Sequence, residues 1–253
     1  MNPQGRFSDR ARNYALYRPS YPPQVIETIL AGLGESSSLT VADIGAGTGI
    51  SARLLANRGV KVWAIEPNLA MREVAESHPL VEWHDSNAEA TQLPDACVDL
   101  VTCFQAFHWF QPQPTLEEFQ RILKPQGRLA IVWNNRNRED GFTGEYSQLI
   151  ASASQHHPAE KRIATIEPMV NCAEFGNLRE ETFPYHQKLD FSGLLGRAKS
   201  TSYLPQFGEE YEILVDNLQR LHQKWADEDG FVYLVYCTQV YIAELIDFAA
   251  EAE

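Results

Sequence analysis

The residues best suited to bind a ligand form a glycine-rich segment, Asp43-Ile-Gly-Ala-Gly-Thr-Gly49, at the end of a predicted strand. Because glycine has no Cβ, the backbone at Gly45, Gly47 and Gly49 can turn tightly and approach a ligand closely. A helix that begins directly after the turn would add free N–H groups and a partial positive charge. The pattern therefore predicts a ligand-binding turn over these residues, including Ala46.

A carboxylate, Glu66, lies about 20 residues beyond this turn, at the end of the next β-prone segment. A carboxylate at this position commonly accepts hydrogen bonds from both hydroxyls of a ribose. The alternative is a solvated charge at a strand end. Because Glu66 occurs together with the glycine turn, we favour the ribose role.

Two classes of cofactor suit this arrangement. The nicotinamide dinucleotide pattern is G-x-G-x-x-G, whereas the glycines here are spaced G-x-G-x-G and follow an acidic residue, Asp43. A negative side chain is unfavourable beside a pyrophosphate, but it suits the ammonium of a zwitterionic amino-acid tail, directly or through a relay. The residues favour an adenosyl ligand that carries an amino group and lacks phosphate.

A histidine, His108, lies in the aromatic segment Phe104–Phe110, after a predicted buried strand. Since the unperturbed pKa of histidine permits proton transfer near neutral pH, His108 is a candidate general base or acceptor-positioning group. A hydrogen-bonded loop histidine is an equally good interpretation. Phe107 and Phe110 are expected to pack in the core. For Trp109, both a position in the core and a position in the wall of a pocket remain open.

The N-terminal segment contains Tyr14, Tyr17 and Arg18. We expect them to precede the first helix and to fold over the site as a lid. There, Arg18 would bind a carboxylate in bidentate geometry, either that of the cofactor tail or that of an acidic substrate. The alternative is a surface arginine with tyrosines packed beneath it.

The elements that must position these residues alternate regularly between residues 39 and 134. Short β-prone segments are separated by helical patterns, which implies βαβ crossovers and a parallel sheet covered by helices. The predicted strands are Leu39–Ile44, Val60–Ile65, Val81–Asp85, Val98–Phe104 and Arg128–Trp133.

Local signals predict several helix boundaries. Gly59 should end the helix after the glycine turn, and Pro67 with Asn68 should begin the next. The segment Thr115–Glu118 matches a capping box and predicts the start of a further helix, which a turn at Lys124–Gly127 should follow.

The alternation of β-prone and helical segments becomes less regular after Asn134. Residues 136–181 are predicted to be helical and loop-like, and Phe183–Leu189 and Phe231–Ile242 are predicted strands. Because no linker is evident, we predict a single domain over residues 1–253. Its parts are an N-terminal lid and first helix (1–38), a cofactor-binding core (39–135), and substrate-side helices with the last two strands (136–253).

Composition and net charge disfavour some classes of partner and indicate the cellular compartment. The net charge is −13, from 21 basic and 34 acidic side chains, which disfavours nucleic acid and anionic membranes. No apolar stretch approaches the roughly 20 residues of a membrane helix, the N-terminus does not resemble a signal peptide, and the four cysteines form no C-x-x-C pair. We therefore expect a cytoplasmic protein, monomeric or homodimeric.

His156-His157 has no partner at a metal-motif spacing, so no metal is predicted.

Three stretches, Val41–Gly49, Ala64–Pro67 and Leu93–Val101, resemble motifs of the class I methyltransferases that use S-adenosylmethionine. The most similar subgroup contains the ubiquinone/menaquinone biosynthesis and trans-aconitate methyltransferases. Tyr14–Pro22 and Phe104–Phe110 resemble the trans-aconitate methyltransferase-like branch. The resemblance covers about residues 7–134, and beyond them only fragments such as Ser200–Tyr203 are similar.

The resemblance implies a Rossmann-like α/β fold with a seven-stranded, mostly parallel sheet and a helical insertion in the C-terminal half. The last strand, supplied by Phe231–Ile242, would be antiparallel. The glycine turn with Asp43 would cradle the methionine portion of the cofactor, and Glu66 would hold its ribose. The resemblance also places Pro67 near the adenine, Asn87 and Ala88 at the adenine edge, and Gln105 beside the sulfonium. Many relatives have an acidic residue in place of Asn87, but an amide oxygen can still accept from the adenine amino group.

The function that follows is methyl transfer from S-adenosylmethionine to a small-molecule acceptor by in-line displacement, which leaves S-adenosylhomocysteine. A carboxylate acceptor is suggested by the branch resemblance and by Arg18, and such an anion would need no general base. The alternatives are a nicotinamide-dependent oxidoreductase and a non-catalytic regulator that binds S-adenosylmethionine.

Overall fold

The computed structural model describes residues 10–155 and 165–246. The strands in these ranges are β1 (Thr40–Ile44), β2 (Lys61–Ile65), β3 (Val81–His84), β4 (Val98–Phe104), β5 (Leu123–Arg136), β6 (Phe175–Leu189) and β7 (Val232–Leu245). The helices are α1 (Ala11–Tyr17), α2 (Pro23–Leu30), α3 (Ile50–Ala56), α4 (Leu69–Glu73), α5 (Pro112–Ile122), α6 (Gly141–Ala153), α7 (Glu167–Val170), α8 (Phe191–Lys199) and α9 (Glu209–Trp225).

The seven strands form one sheet in the order β3-β2-β1-β4-β5-β7-β6. The first five strands in this order pair in parallel, while β7 pairs antiparallel with both β5 and β6. The predicted α/β fold, with seven mostly parallel strands and an antiparallel last strand, is therefore confirmed. Strand order reverses between β1 and β4, which is where open α/β sheets bind their ligands.

The central strands are apolar throughout because helices cover both faces of the sheet. In β4, Leu100 and Phe104 pack in the cluster that includes α2 and α3, while Val101 and Cys103 pack against α5 on the other face. Full burial of an aliphatic side chain is worth about 1.5–3 kcal/mol. This continuous burial explains why the predicted bounds of β4 match the observed ones.

The C-terminal half contributes a third apolar cluster. Leu194 of α8 and Leu218 of α9 pack there with α6 and with Leu234 and Tyr236 of β7. These helices lie between β5 and β7 along the chain and form the predicted helical insertion.

The expectation that Tyr14 and Tyr17 precede the first helix is wrong, because both lie inside α1. This helix has no side-chain N-cap and no acidic residue in its first turn, so local signals do not announce it. Tertiary contacts position it instead. The Tyr17 carbonyl accepts a 2.9 Å hydrogen bond from Gln187, and the Tyr17 ring lies so close to Gly196 that a Cβ there would be 2.3 Å from it.

The predicted capping box at Thr115–Glu118 is also wrong, since α5 begins one turn earlier, at Pro112. Proline suits the first turn of a helix because its missing N–H needs no partner there. Glu118 instead accepts a 2.7 Å hydrogen bond from the backbone N–H of Thr91 and pairs with Arg121.

Two predicted boundaries in the later strands need correction. The turn at Lys124–Gly127 is an irregularity inside β5, where Val98 pairs with Leu123 but Leu100 pairs with Arg128. Strand β6 begins at Phe175, eight residues before the predicted Phe183. Its first half is largely exposed at the edge of the sheet, and charged residues are common on edge strands.

Candidate cofactor site

A cavity of about 420 Å³ lies at the carboxyl ends of β1, β2, β3 and β4. Seven of the residues predicted to bind the cofactor line it, together with Tyr14 and Trp109 from the predicted substrate side. These seven are Gly45, Gly47, Glu66, Pro67, Asn87, Ala88 and Gln105. The sheet therefore brings residues from four separate loops to one place.

The glycine turn forms one wall of the cavity. The N–H of Gly45 donates to the Ile65 carbonyl at 2.8 Å, and the N–H of Gly47 donates to Glu66 Oε2 at 2.9 Å. Gly47 has a φ of +58°, which glycine adopts readily and a β-branched residue does not. A Cβ at Gly47 would meet its nearest neighbours, Met71 and Tyr14, only at 3.8 Å and 3.9 Å. A larger side chain there would extend into the space beside the turn.

Ala46 and Gly49, which were also predicted to form the ligand-binding turn, do not line the cavity. Ala46 is buried in the core, and its N–H donates to the Ile65 carbonyl. Gly49 caps α3 and lies under Trp83, whose ring would be 2.9 Å from an added Cβ. Both residues hold the shape of the turn.

Glu66 is a buried carboxylate with both oxygens in use. Oε2 accepts from Gly47 and Oε1 accepts from the N–H of Asn68 at 2.9 Å. Each oxygen retains a lone pair, since a carboxylate accepts about four hydrogen bonds. Burial raises the pKa of Glu66 above its ordinary value, although the two backbone N–H groups act against the shift.

Asp43 lies beneath the turn, not in the cavity wall. Its carboxylate is fully buried and accepts hydrogen bonds from Ser51 at 2.6 Å and from Thr102 at 2.8 Å. Burial raises its pKa to about 6 against the effect of these two hydroxyls, and the nearby charge of Glu66 adds to the shift. A cation in the cavity would favour the ionised forms of both carboxylates.

Gln105 follows β4 in the left-handed conformation, with a φ of +55°. Its N–H donates to the Val132 carbonyl at 2.9 Å, and its side-chain amide donates to the Asn134 carbonyl at 3.0 Å. A non-glycine residue in this region costs of order 1–3 kcal/mol and is common at binding sites. The strained backbone directs Gln105 to the cavity and ties that cavity to β5.

The loop after β3 supplies the far end of the cavity. The side-chain oxygen of Asn87 accepts the N–H of Ala90 at 2.9 Å, which shapes the loop, and Ala88 is buried beside it. Ser86 precedes them and also lines the cavity. Its buried hydroxyl has no hydrogen-bond partner among the described residues, and a buried polar group of this kind usually meets a ligand or water.

His108 does not line the cavity. Its Nδ1 accepts the indole N–H of Trp133 at 3.3 Å, and its ring packs against Trp109 at 5.1 Å between centroids. Phe107 is buried in the core as expected, whereas Phe110 lines the cavity and only partly packs in the core.

Sequence reasoning missed several lining residues, among them Ser86, Met71, Phe110 and Glu89. Position was the available signal for Ser86, because it lies just past the end of β3, where ligand-binding residues of parallel sheets collect. Met71 is apolar and helical, so its pattern is that of any core residue.

A second cavity, of about 270 Å³, lies next to the first. Arg18 lines this second cavity and not the first, and neither cavity includes Tyr17. The second cavity is lined by Arg18, Asn134, Asn135, Arg136, Arg138, Arg197, Thr201, Tyr203 and Tyr236, and we call it the arginine cavity.

Within residues 10–155 and 165–246, no three His, Cys, Asp or Glu side chains converge as a metal site would require. His156 and His157 lie outside these ranges. None of the described helices is long and apolar enough to cross a bilayer.

Residues 42–131 match a family model described as a methyltransferase domain. This interval contains the glycine turn, Glu66, the loop after β3 and Gln105. An uncharacterized methyltransferase of Schizosaccharomyces pombe is 34% identical over 146 residues, which are 57% of this chain and 58% of that protein. The matched region thus spans a little over half of that relative.

Residues 42–131 of the chain are therefore similar to the methyltransferase domain family. An uncharacterized methyltransferase of Mycobacterium tuberculosis is 29% identical over 244 residues, 94% of this chain and 96% of its own. A solved structure of a candidate type II methyltransferase from Anaeromyxobacter dehalogenans superposes with a TM-score of 0.66 at 21% identity, over 89% of this chain and 97% of that one. The methyltransferase fold therefore extends past the matched domain into β6 and β7.

Proposed function

We propose that this methyltransferase binds S-adenosylmethionine in the cavity at the ends of β1–β4 and methylates a small-molecule acceptor, with a carboxylate as the favoured nucleophile. The observation that carries the proposal is the pairing of Gly47 and Glu66 across 2.9 Å at the wall of that cavity. It places a stretch of backbone without a side chain next to a carboxylate that can accept hydrogen bonds from ribose hydroxyls.

The residues of the cavity fit this cofactor in shape and charge. Glu66 would hold the ribose hydroxyls with its remaining lone pairs. Ser86, Asn87 and Ala88 would bind the adenine, for which the unpartnered hydroxyl of Ser86 supplies a polar contact. Gly45 and Gly47 would leave room for the methionine portion. Asp43 would support this portion as a positioning residue, through the turn above it and through its negative charge.

The electrostatics distinguish this cofactor from a dinucleotide. Asp43 and Glu66 are buried carboxylates with raised pKa values. A pyrophosphate would add negative charge beside them, whereas a sulfonium with an ammonium group would stabilise their ionised forms. This difference favours the methyltransferase reading over a nicotinamide-dependent oxidoreductase.

When bound, S-adenosylmethionine would supply a methyl group on a positively charged sulfur, which becomes a neutral thioether as the acceptor oxygen takes the methyl group. The protein's task is to align the acceptor and exclude water, an orientation effect worth roughly 7–11 kcal/mol. Tyr14, Trp109 and Phe110 line the cavity and would exclude water. A carboxylate acceptor releases no proton, so this chemistry needs no general base, and His108 need not reach the reacting atoms.

Calorimetry of the purified protein with S-adenosylhomocysteine and with NADH tests the proposal. We expect S-adenosylhomocysteine to bind and NADH to bind at least about a hundredfold more weakly. Tight NADH binding would contradict the proposal. A methyl-transfer screen of small carboxylates and phenols with labelled cofactor then separates an enzyme from a non-catalytic regulator, which would bind the cofactor and methylate none of them.

A further inference from the structure

The arginine cavity collects four guanidinium groups from distant parts of the chain. Arg18 follows α1 as its C-cap, Arg136 ends β5, Arg138 follows β5, and Arg197 lies in α8. The protein as a whole carries a net charge of −13. A cavity with four arginines is therefore opposite in charge to the rest of the molecule. None of the described residues that line this cavity is acidic.

These four arginines have no carboxylate partners within the described parts of the chain. Arg18 donates to the Ser200 carbonyl at 3.1 Å and stacks on the Tyr14 ring at 4.6 Å. Arg197 is 7% exposed, and among the described residues its side chain donates to three hydroxyl groups, the nearest being Tyr236 Oη at 3.3 Å. Arg136 stacks on the Tyr146 ring at 5.4 Å.

The arrangement leaves hydrogen-bonding capacity unused. The Nε of Arg18 is buried and finds no acceptor among the described residues. Burial and the neighbouring charge of Arg197 both lower the pKa of Arg18. Buried cations are ordinarily paired with anions, so the cavity has the composition of an anion site whose anion is a ligand.

The arginine cavity is linked by direct contacts to the cavity of about 420 Å³ proposed for the cofactor, which we call the cofactor cavity. Gln105 lines the cofactor cavity, and its side chain donates to the carbonyl of Asn134, which lines the arginine cavity. Tyr14 also lines the cofactor cavity, and Arg18 of the arginine cavity stacks on its ring. A molecule held by the arginines therefore lies beside the end of the cofactor cavity that Gln105 forms.

We propose that the arginine cavity binds the methyl acceptor, and that this acceptor is a small dianion such as a dicarboxylate or a phosphate monoester. The identification of this anion as the methyl acceptor rests on the proposed function, whereas the binding of an anion does not depend on it. Two anionic groups are proposed because the four guanidinium groups come from several directions, and each planar guanidinium matches a carboxylate or a phosphate through paired N–H donors. A volume of about 270 Å³ is below the usual range for drug-sized ligands, which restricts the acceptor to a small molecule.

A single carboxylate, such as the one in the cofactor's own amino-acid tail, would neutralise only one of the four positive charges. If that tail occupied the arginine cavity, the cofactor product and a small dianion would compete for it. Simultaneous binding and competition are therefore distinguishable outcomes.

The test is calorimetry of the full chain without cofactor, in buffer of low ionic strength. Succinate serves as the dicarboxylate, inorganic phosphate as the phosphate, acetate as the single carboxylate, and succinamide as the neutral analogue. We expect succinate or phosphate to bind at least about tenfold more tightly than acetate, with succinamide not binding. The tighter of the two dianions identifies the source of the anionic groups.

Variants assign this binding to the cavity. Arg136→Gln and Arg18→Gln should each weaken dianion binding by about tenfold or more, because a charge-assisted hydrogen bond is lost. Arg220→Gln on the exposed surface of α9 is the matched control and should leave the affinity within about twofold. Circular dichroism and melting temperature establish that each variant is folded, and Arg136, which is only half-buried, is the safer of the two.

Saturating S-adenosylhomocysteine should leave succinate or phosphate binding in place. Displacement of the dianion by S-adenosylhomocysteine, equal affinity for acetate, or unchanged affinity in both arginine variants would overturn the proposal. If S-adenosylhomocysteine itself fails to bind while the dianion binds as expected, the proposed function fails and the anion site stands.

Discussion

The cofactor cavity and the arginine cavity are neighbours that the chain assembles in opposite ways. The first is built mainly from loops that follow β1, β2, β3 and β4, and two glutamates line it while Asp43 lies beneath its glycine turn. The second joins the end of α1, the end of β5 and the helix α8, and presents four arginines. One cavity thus suits a positively charged ligand and the other a negatively charged one.

The two proposed sites would keep the opposite charges of the two reactants apart until they react. A sulfonium and an anionic nucleophile attract each other, so bringing them together needs positioning more than it needs acid–base chemistry. In the proposed arrangement, acids would surround one reactant and arginines the other, so that each would have a complementary cavity before they meet. The five predictions that follow test that separation.

Gly47→Val should have the largest effect and should be confined to the cofactor cavity. Its side chain would extend into the ligand space, because a Cβ there meets no protein atom closer than 3.8 Å. We expect the affinity for S-adenosylhomocysteine, measured by calorimetry, to fall by at least about a hundredfold, with succinate binding unchanged. Gly34→Val is the matched control, since Gly34 also has a positive φ, but a Cβ added there would meet no atom of the described residues within 4 Å, and Gly34 does not line the cavity. Equal loss of affinity in both variants would mean that backbone strain, not ligand space, is responsible.

Asp43→Asn should change how stability depends on pH. The carboxyl of Asp43 titrates at about 6 in the folded protein and near 3.8 when unperturbed. Between these values the folded state retains a proton that the unfolded chain has lost, so stability falls as the pH rises through this window, by about 3 kcal/mol for this one group. The variant should lack this contribution, whereas carboxyls that do not interact with Asp43 affect both proteins alike. Urea unfolding from about pH 4 to about pH 7 measures the difference, and parallel curves would refute it.

Glu66→Gln should weaken S-adenosylhomocysteine binding by about thirtyfold, because a charged acceptor of the ribose hydroxyls is lost. Glutamine keeps one oxygen that can accept the Gly47 N–H, but its amide nitrogen cannot accept the N–H of Asn68, so circular dichroism and melting temperature must establish that the turn remains folded. Glu82→Gln in the neighbouring strand β3 is the control, since the Glu82 side chain is 59% exposed and does not line the cavity. An affinity that changes by less than about twofold in Glu66→Gln would exclude the ribose role.

Gly196→Ala tests whether α1 links the two cavities. The added Cβ would lie 2.3 Å from the Tyr17 ring, so α1 should shift and carry Arg18 with it, at a stability cost of about 1–3 kcal/mol. Succinate affinity should fall by about fivefold, whereas Gly193→Ala in the same helix, which meets the flexible end of Leu189 at 3.0 Å, should leave it nearly unchanged. Undiminished succinate binding in the first variant would separate α1 from the arginine cavity.

His108→Gln should have the smallest effect. Its ring lies outside both cavities and accepts a hydrogen bond from Trp133, which glutamine can replace. We expect kcat/KM with a carboxylate acceptor to change by less than about threefold at all pH values. A loss of more than about a hundredfold, with one limb of the pH profile removed, would restore His108 as a general base.

The two cavities also differ in how far the sequence predicts them. The glycine turn and Glu66 are recognisable because short-range spacing and parallel strand ends determine where they lie. Arg136 and Arg197 carry no local signal, since the long-range packing of α8 and β7 brings them to Arg18. The helix α1 was missed for the same reason, because Gln187 and Gly196 position it from the other half of the chain.

Glu118 shows the opposite error, in which a local signal was present and tertiary structure overrode it. Its spacing from Thr115 fits a capping box, yet Thr91 and Arg121 take its carboxylate. Strand β4 was predicted to the residue, because burial on both faces leaves it few alternatives.

A crystal structure of the protein with S-adenosylhomocysteine tests the central claim most directly. The account predicts that the ribose hydroxyls lie about 3 Å from the Glu66 carboxylate, that the adenine lies beside Ser86, and that the arginine cavity remains free for an anion. S-adenosylhomocysteine bound in the arginine cavity, or a structure in which side chains fill the space beside Gly47, would contradict it.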